Sequence, residues 1–591
     1  MYVLLVSMTF LRRLLPILEW GPSYRRSDLR HDLAAGVTVA AMLVPQAMAY
    51  ALLAGLPPEV GLYAATIPVL VYAVFGTSRQ LAVGPVAIVS LLTATALAQL
   101  VEEGTADYLE AAATLALLVG LVHIVLGAGR LGFLVNFLSH SVLVGFTAAA
   151  AIIIGFSQVK HLLGIKIPRT DHFYETVIDV AKGLSETHGT TLGLGLGALA
   201  ALLLLKRVMR RLPGALIVVL ASIIVVELFD LQSRGVSTVG DIPDSLPSFG
   251  LPGLDGSLIG NLLPTAIVIT IVGFMESIAV AKVYARRHGY AVEPNSELIG
   301  LGAANVASGA FGGYPVTGGF SRTAVNDTAG ARTPLASIVT AILVLATIAF
   351  LTPLLTSLPN AVLGAIIVVA VTGLIDVKEM RHISHVKPTD LVSLSVSFVA
   401  TLALGIELGI AVAVVASMLV VFARMSRPHT AVLGQVEGTT NYRNIERFPD
   451  AHVRDGVRVI RIDAAISFIN AVAVKRLVTA QAAAIDDDPK VLVLDASGIN
   501  DLDATGADML TELLPELERQ GVRLHLADVK GPVRDVLRRA GLWEHSAGRI
   551  HASTSDAVDA VLAGRASPVD LRGQGIDERP APTTTREPSR A

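Results

Sequence analysis

From about residue 33 to residue 425 the chain is a series of apolar runs separated by short polar breaks, and from about 440 to 565 it changes to shorter alternating segments. The first pattern predicts membrane helices, because a bilayer core takes about 20 apolar residues per crossing. Fourteen helices are expected, at 33–50, 58–75, 84–99, 110–128, 138–158, 190–205, 214–229, 260–281, 297–311, 321–331, 335–354, 360–375, 389–403 and 406–424. In the tail, VRVIRI (457–462), VLVLDA (491–496) and VRLHLA (522–527) predict strands. Segments 471–484, 504–520 and 532–541 predict amphipathic helices, giving a small α/β domain. Residues 566–591, rich in proline, arginine and acidic residues, are expected to be disordered.

Charge supports this count. Arg25, Arg26 and Arg30 precede the first helix, and basic residues then follow alternate helices: Arg79, Arg130, Lys206 with Arg210 and Arg211, Lys282 with Arg286 and Arg287, Arg332, Lys378 with Arg381, and Arg424 with Arg427. The loops between carry Glu102, Glu103 and Asp107, or Asp241 and Asp244. Basic residues gather on the cytoplasmic side of membrane proteins, so both termini are expected there. The basic loop 161–172 departs from the rule.

Composition narrows the function. The 591 residues are 53% hydrophobic and 16% charged, with a mean hydropathy of +0.63; a soluble chain carries about 25% charged residues. The net charge of −3 points to no partner, and cysteine is absent, which excludes disulfides and thiolate metal sites. No metal or cofactor is expected. The arginines stand singly or in pairs beside apolar runs, which gives nucleic-acid binding no support. No nucleophile, base and orienting group occur together, so an enzyme is not expected. MYVLLVSMTFLRRLLP lacks a clear small-residue cleavage site and is not read as a cleavable signal.

Two breaks carry the candidate chemistry. GTSRQLAVGPVAIVSLL (76–92) opens an apolar helix at Gly84, Pro85 and Val86, where proline suits a first helical turn. GGYPVTGGFSRTAVNDTAGARTP (312–334) is polar between two apolar runs and predicts a helix beginning near Ser321. A helix start inside the bilayer leaves backbone N–H groups without partners, at a cost of several kcal/mol each in hydrocarbon. An anion at the positive end of the helix dipole satisfies them. Arg322 adds a full charge, Asn326 lies one turn later on the same face, and Ser321 is a candidate N-cap or ligand donor. The breaks fall in helices three and ten, equivalent positions if the fourteen helices divide seven plus seven, as an inverted repeat predicts. Ordinary surface loops, with glycines serving only close packing, are the alternative.

GFMESIAVAKVYARR (273–287) places Glu276 inside an apolar run, with Ser277 beside it. An intramembrane carboxylate is costly and usually functional. Proton coupling, an ion pair with Arg322 or another internal base, and sodium ligation are the three readings. In AAMLVPQAMAYALLAGLPPEVGLY (40–63), Pro45 is expected to kink or break the first helix. Gln46 is placed to donate to an anion. Tyr50, four residues on, either walls the same pocket or packs.

VPQAMAYALLAGLPPEVGLY, FGTSRQLAVGPVAIVSLL, GFMESIAVAKVYARR and YPVTGGFSRTAVNDTAGARTPLA, in this order, resemble the sulfate permease (SulP) family over residues 25 to about 563. The resemblance implies a polytopic all-α membrane protein of fourteen helices in two inverted repeats. Helices 1–4 and 8–11 would form a core domain and helices 5–7 and 12–14 a gate, with an anion held between the starts of helices three and ten and an elevator-like movement. It implies a homodimer in the cell membrane, the inner one if the chain is bacterial. It assigns Gln46, Tyr50, Ser321 and Arg322 to the pocket and Glu276 to proton coupling. The tail resembles a STAS domain, in which DATG (503–506) stands where relatives carry a phosphorylated serine. Thr505 is therefore a candidate regulatory site, with a helix cap as the alternative, and the domain a candidate surface for a cytoplasmic protein partner. The expected organisation is an N-terminal segment (1–30), a transport domain (31–428), a STAS domain (440–563) and a tail (564–591). The expected activity is proton-coupled sulfate uptake. Alternatives are bicarbonate or dicarboxylate transport, with sodium coupling or exchange, and a regulator in which transport is minor.

Overall fold

A computed structural model describes residues 15–133, 139–167, 173–208, 213–240, 245–253, 255–545 and 548–563. Leu138, loop residues 168–172, Arg210, Arg211, Asp241, Asp244 and the tail from 564 lie outside the described residues. The chain divides into two compact units, Met1–Ser417 and Met418–Ala591.

The first unit is helical, and every expected helix has a counterpart. These are α1 (Arg26–Leu53), α2 (Pro58–Phe75), α3 (Ala87–Ala98), α4 (Ala106–Ala128), α5 (His140–Ser157), α6 (Gly189–Val208), α7 (Gly214–Leu228), α8 (Gly256–His288), α9 (Pro294–Ala310), α10 (Phe320–Thr328), α11 (Leu335–Phe350), α12 (Asn360–Thr372), α13 (Pro388–Leu404) and α14 (Ile406–Ser426). Among the described residues, seven helices are long and apolar enough to cross a membrane: α1, α2, α4, α6, α8, and the stretches that contain α5 and α12. Helices α3, α7, α11, α13 and part of α14 are apolar but shorter.

Of the two outcomes expected at Pro45, a break does not occur: α1 runs 28 residues through it. Proline removes only its own N–H bond to the carbonyl four residues earlier, and the turns around it are buried on most sides by packing. Helices α5–α6 and α12–α13 are separated by amphipathic segments, Phe173–Gly183 and Val377–Val386, that the apolar-run criterion passes over. Close approach of backbones holds α4 against α9. A Cβ on Gly120 would lie 2.6 Å from the Val306 nitrogen, and one on Gly302 would lie 2.9 Å from the Gly120 oxygen. Membrane helices pack by such small-residue contacts because lipid supplies no hydrophobic drive between them.

The second unit contains a mixed sheet. In order its strands are β4 (Tyr442–Asn444), β3 (Thr430–Val436), β6 (Val457–Ile462), β7 (Val491–Asp495), β8 (Arg523–Ala527) and β9 (Ile550–His551), with β5 (Ala451–His452) also on β3. Strands β6 to β9 are parallel, and β3 is antiparallel to β6. Helices α15 (Ala471–Ala483), α16 (Ala504–Arg519) and α17 (Gly531–Arg539) cover one face, and α18 (Thr554–Leu562) the other. The three predicted strands and helices are all present. Strand β3 precedes the expected domain start at 440 and is a full member of the sheet.

On the α18 face, His525 and His551 stack with ring centroids 5.2 Å apart, and His525 Nδ1 lies 2.9 Å from His551 Nε2. Burial, then the charges of His551, Arg523 and Arg549, push His525 from its ordinary 6.5 down to about 4. Burial also lowers His551, against the pull of Asp556. Between pH 6.5 and 4 the unfolded chain binds more protons than the folded one, so stability from this pair is complete above 6.5 and lost as the pH falls. Trp543, packed against the core of this unit, reports its unfolding once Trp20 is replaced by phenylalanine. The fluorescence melting midpoint of that protein is expected to drop by several degrees from pH 7 to pH 5. The double variant His525→Leu/His551→Leu is expected to lose most of that dependence.

Candidate functional site

Two short strands build the site. Val83–Gly84 (β1) pairs antiparallel with Thr317–Gly318 (β2), with Val83 opposite Gly318 and Gly84 opposite Thr317. Helix α3 starts three residues after β1, and α10 two residues after β2. The pairing therefore brings the two helix starts together in the buried interior, where an isolated strand end would strand its amides. Gly84 has φ +149°, a conformation that disfavours a side chain, and a Cβ there would meet Arg322 Nη2 at 3.5 Å.

Neither helix carries a side-chain cap. The N-cap residues are Val86 and Gly319, and neither side chain bonds the first turn. Ser321 is therefore not the N-cap expected of it. The helix begins one residue earlier, and Ser321 sits exposed in the first turn. Pro85 is likewise outside α3 rather than in its first turn. Its carbonyl accepts a hydrogen bond from Arg322 Nη1. Val86 is buried.

Arg322 is only 2% exposed, yet Nε and Nη2 have no hydrogen-bond partner among the described residues. The guanidinium folds back over the start of its own helix; a Cβ on Gly319 would lie 3.0 Å from Nη2. Tyr50, Glu276 and Tyr314 lie within electrostatic reach of it. Glu276 Oε2 and Gln46 Oε1 are also buried without partners among the described residues. Glu276 and Arg322 form no ion pair among the described residues, so of the three readings of Glu276 the direct pair with Arg322 is not made. Unsatisfied buried polar atoms cost about 1–3 kcal/mol each, more when charged. Orphan donors of one cation beside two uncapped helix starts form a strong anion-binding geometry.

Two predicted residues serve the frame. Ser277, fully buried, accepts from the Gly318 N–H at 2.8 Å and shares a 2.7 Å hydrogen bond with Thr317 Oγ1, which in turn donates to the Gly273 carbonyl at 2.7 Å. Asn326 Nδ2 donates to the Gln80 carbonyl at 2.9 Å, tying α10 to the segment before β1; its Oδ1 is unpartnered. Sequence reasoning missed Asn305, which grips both backbone groups of Val316 at 2.9 and 2.8 Å, and Tyr314, whose hydroxyl meets that of Ser90 at 2.9 Å. A lone amide in the small-residue run LGAANVASGA and a tyrosine in a glycine-rich break were the available signals.

Thr505 belongs to the second unit. Asp503 is the cap of α16, its Oδ1 accepting from Gly506 N at 2.8 Å, so the threonine is not the cap. Thr505 is exposed and lines a groove of about 660 Å³ between α15 and α16, with Val472, Lys475, Met509 and Glu512.

Helices built to span a bilayer, enclosing two uncapped helix starts around a buried arginine, define a polytopic membrane protein with polar groups buried in its interior. The model of the sulfate permease family matches residues 29–397 and that of the STAS domain residues 448–557; the chain belongs to the sulfate permease family. It is 38% identical over 550 residues to sulfate transporter 4.1, chloroplastic, of Arabidopsis thaliana, covering 90% of this chain and 80% of that protein. A probable sulfate transporter of Mycobacterium tuberculosis is 38% identical over 534 residues, 89% of this chain and 95% of that one. Among solved structures, the murine Solute Carrier 26 family member A9 anion transporter in its inward-facing state matches with a TM-score of 0.87 and 28% identity, over 94% of this chain and 95% of that one. The transmembrane domain of a cyanobacterial bicarbonate transporter matches with a TM-score of 0.57 and 25% identity, over 67% of this chain and 98% of that one. The chain is a multi-pass membrane transport protein with a polytopic all-α membrane domain and an α/β STAS domain, not an enzyme.

Proposed function

We propose that this protein carries sulfate across the membrane together with protons, holding the anion between the starts of α3 and α10. The observation that carries the reading is the β1–β2 pair, which sets two uncapped helix starts beside the unsatisfied Nε and Nη2 of buried Arg322. Gly84, Pro85 and Val86 bound one side of the anion site, and Ser321 and Arg322 the other. Gln46 and Tyr50 wall it from α1, and Asn326 holds α10 in place. Glu276 takes up the coupled proton on its unpartnered oxygen, with Ser277 fixing β2 beside it.

The fourteen helices, with breaks at the third and tenth, support two inverted repeats of seven, a core of α1–α4 and α8–α11, and a gate of α5–α7 and α12–α14. Transport then moves the core past the gate. In this reading residues 31–428 form the transport domain, 440–563 with the added strand β3 form the STAS domain, both termini are cytoplasmic and the protein is a homodimer. The names of the plant and mycobacterial relatives support sulfate as cargo. Likeness to a bicarbonate transporter keeps bicarbonate as the second reading. Labelled-anion uptake into proteoliposomes separates them. Saturable sulfate uptake, enhanced by an inward proton gradient, is expected. Bicarbonate uptake without sulfate uptake overturns the cargo, and sulfate uptake indifferent to the gradient overturns the coupling.

A further inference from the structure

A polar cavity, of about 630 Å³, lies at the opposite, C-terminal end of α10 from the anion site. Its walls come from the start of α1, the segment before β1, the end of α8 and the loop after α10, with Trp20 also lining it. The acids in it are already engaged. Asp28 binds Arg332 Nη1 at 2.7 Å, and Asp327 binds Arg287 Nη1 at 2.6 Å and His288 Nε2 at 2.5 Å. Arg25 and Arg79 also line it, both exposed, and neither pairs with an acid among the described residues. The Arg79 guanidinium lies 4.9 Å over the Tyr290 ring, which holds it in place while leaving its edge free for a ligand. Trp20 Nε1, a group that can only donate, is buried with no acceptor among the described residues.

The surplus is cationic and donor-rich, and Arg guanidinium groups suit phosphate oxygens geometrically. The volume falls in the range of about 300–1,000 Å³ that holds whole small molecules, larger than a tetrahedral oxyanion needs. We propose that this cavity is a binding site for a phosphate-bearing ligand of nucleotide size, distinct from the cargo site, held by Arg25 and Arg79 with Trp20 donating to it. The phosphate comes either from a soluble nucleotide or from an anionic lipid headgroup. Occupancy joins four segments, of which the segment before β1 leads into the anion site and the loop after α10 follows the helix that carries Arg322.

The test uses the full-length purified protein. ATP, inorganic phosphate and adenosine are titrated by calorimetry against wild type, the double variant Arg25→Ala/Arg79→Ala, and Arg322→Ala. For a soluble source, ATP binds wild type and Arg322→Ala equally, adenosine does not bind, and the double variant binds ATP at least tenfold more weakly. For a lipid source, ATP does not bind, but nanodiscs containing phosphatidylglycerol raise the melting temperature over phosphatidylcholine in wild type and not in the double variant. Neither effect, or effects that persist in the double variant, or ATP binding lost with Arg322→Ala, each overturns the proposal. A failure of Arg322→Ala to transport leaves it intact, because that residue belongs only to the cargo site.

Discussion

Replacing Arg322 by alanine is expected to lower sulfate uptake at least 100-fold while the protein still folds and inserts. Two guanidinium nitrogens are buried without partners among the described residues, and a third is spent on the Pro85 carbonyl. Hydrogen bonds to a charged group contribute about 1.5–3 kcal/mol each, so losing two on a bound anion costs about 3–6 kcal/mol, or roughly 100-fold to 10,000-fold. Removing Arg322 also strips the Pro85 carbonyl of its donor, so the melting temperature is measured beside uptake. Arg322→Lys separates charge from shape: an ammonium keeps the charge but not the planar fork, and uptake at least tenfold below wild type is expected. Uptake by the alanine variant within a few-fold of wild type removes the proposed anion site.

Glu276→Gln is expected to abolish the response to a proton gradient rather than transport itself. The carboxylate is 8% exposed, one oxygen is unpartnered, and no base pairs with it among the described residues. Those conditions suit a group that alternates between neutral and charged forms. One coupled proton per turnover converts each pH unit into about 1.4 kcal/mol, a tenfold limit on accumulation. Glutamine keeps the size and one carbonyl oxygen but carries no exchangeable acid proton. Wild-type vesicles are expected to accumulate sulfate when the outside is one pH unit more acidic, and variant vesicles only to equilibrate. If the variant still accumulates sulfate, the proton path lies elsewhere. If wild-type accumulation follows a sodium gradient instead, Glu276 is a sodium ligand.

Relating these expectations to the chain shows how unevenly the site was legible. Arg322, Glu276 and Gln46 could be singled out because a charge or amide in an apolar run is unusual on sight. Asn305 was equally unusual but sat in a run of glycine and alanine that reads as packing. Ser277 stood out only beside Glu276, and its bonds to Thr317 and Gly318, 40 and 41 residues away, had no local trace. The starts of α3 and α10 shifted by three residues and by one. Nothing local distinguishes Pro85 in the first turn from Pro85 just outside it; the strand pairing decides.

What the sequence determined by itself was the order of the helices and the two places where they break, since both follow from the length of apolar runs and from glycine and proline within them. It also determined the strands and amphipathic helices of the tail, whose periods are local. Only the tertiary structure decided that the breaks meet. Residues 83–84 and 317–318 are joined by backbone hydrogen bonds, which any sequence can make, so no side-chain pattern encodes the partner. The same holds for Arg322: the chain supplies its charge, but packing decides which of its nitrogens a carbonyl claims and which remain for an anion.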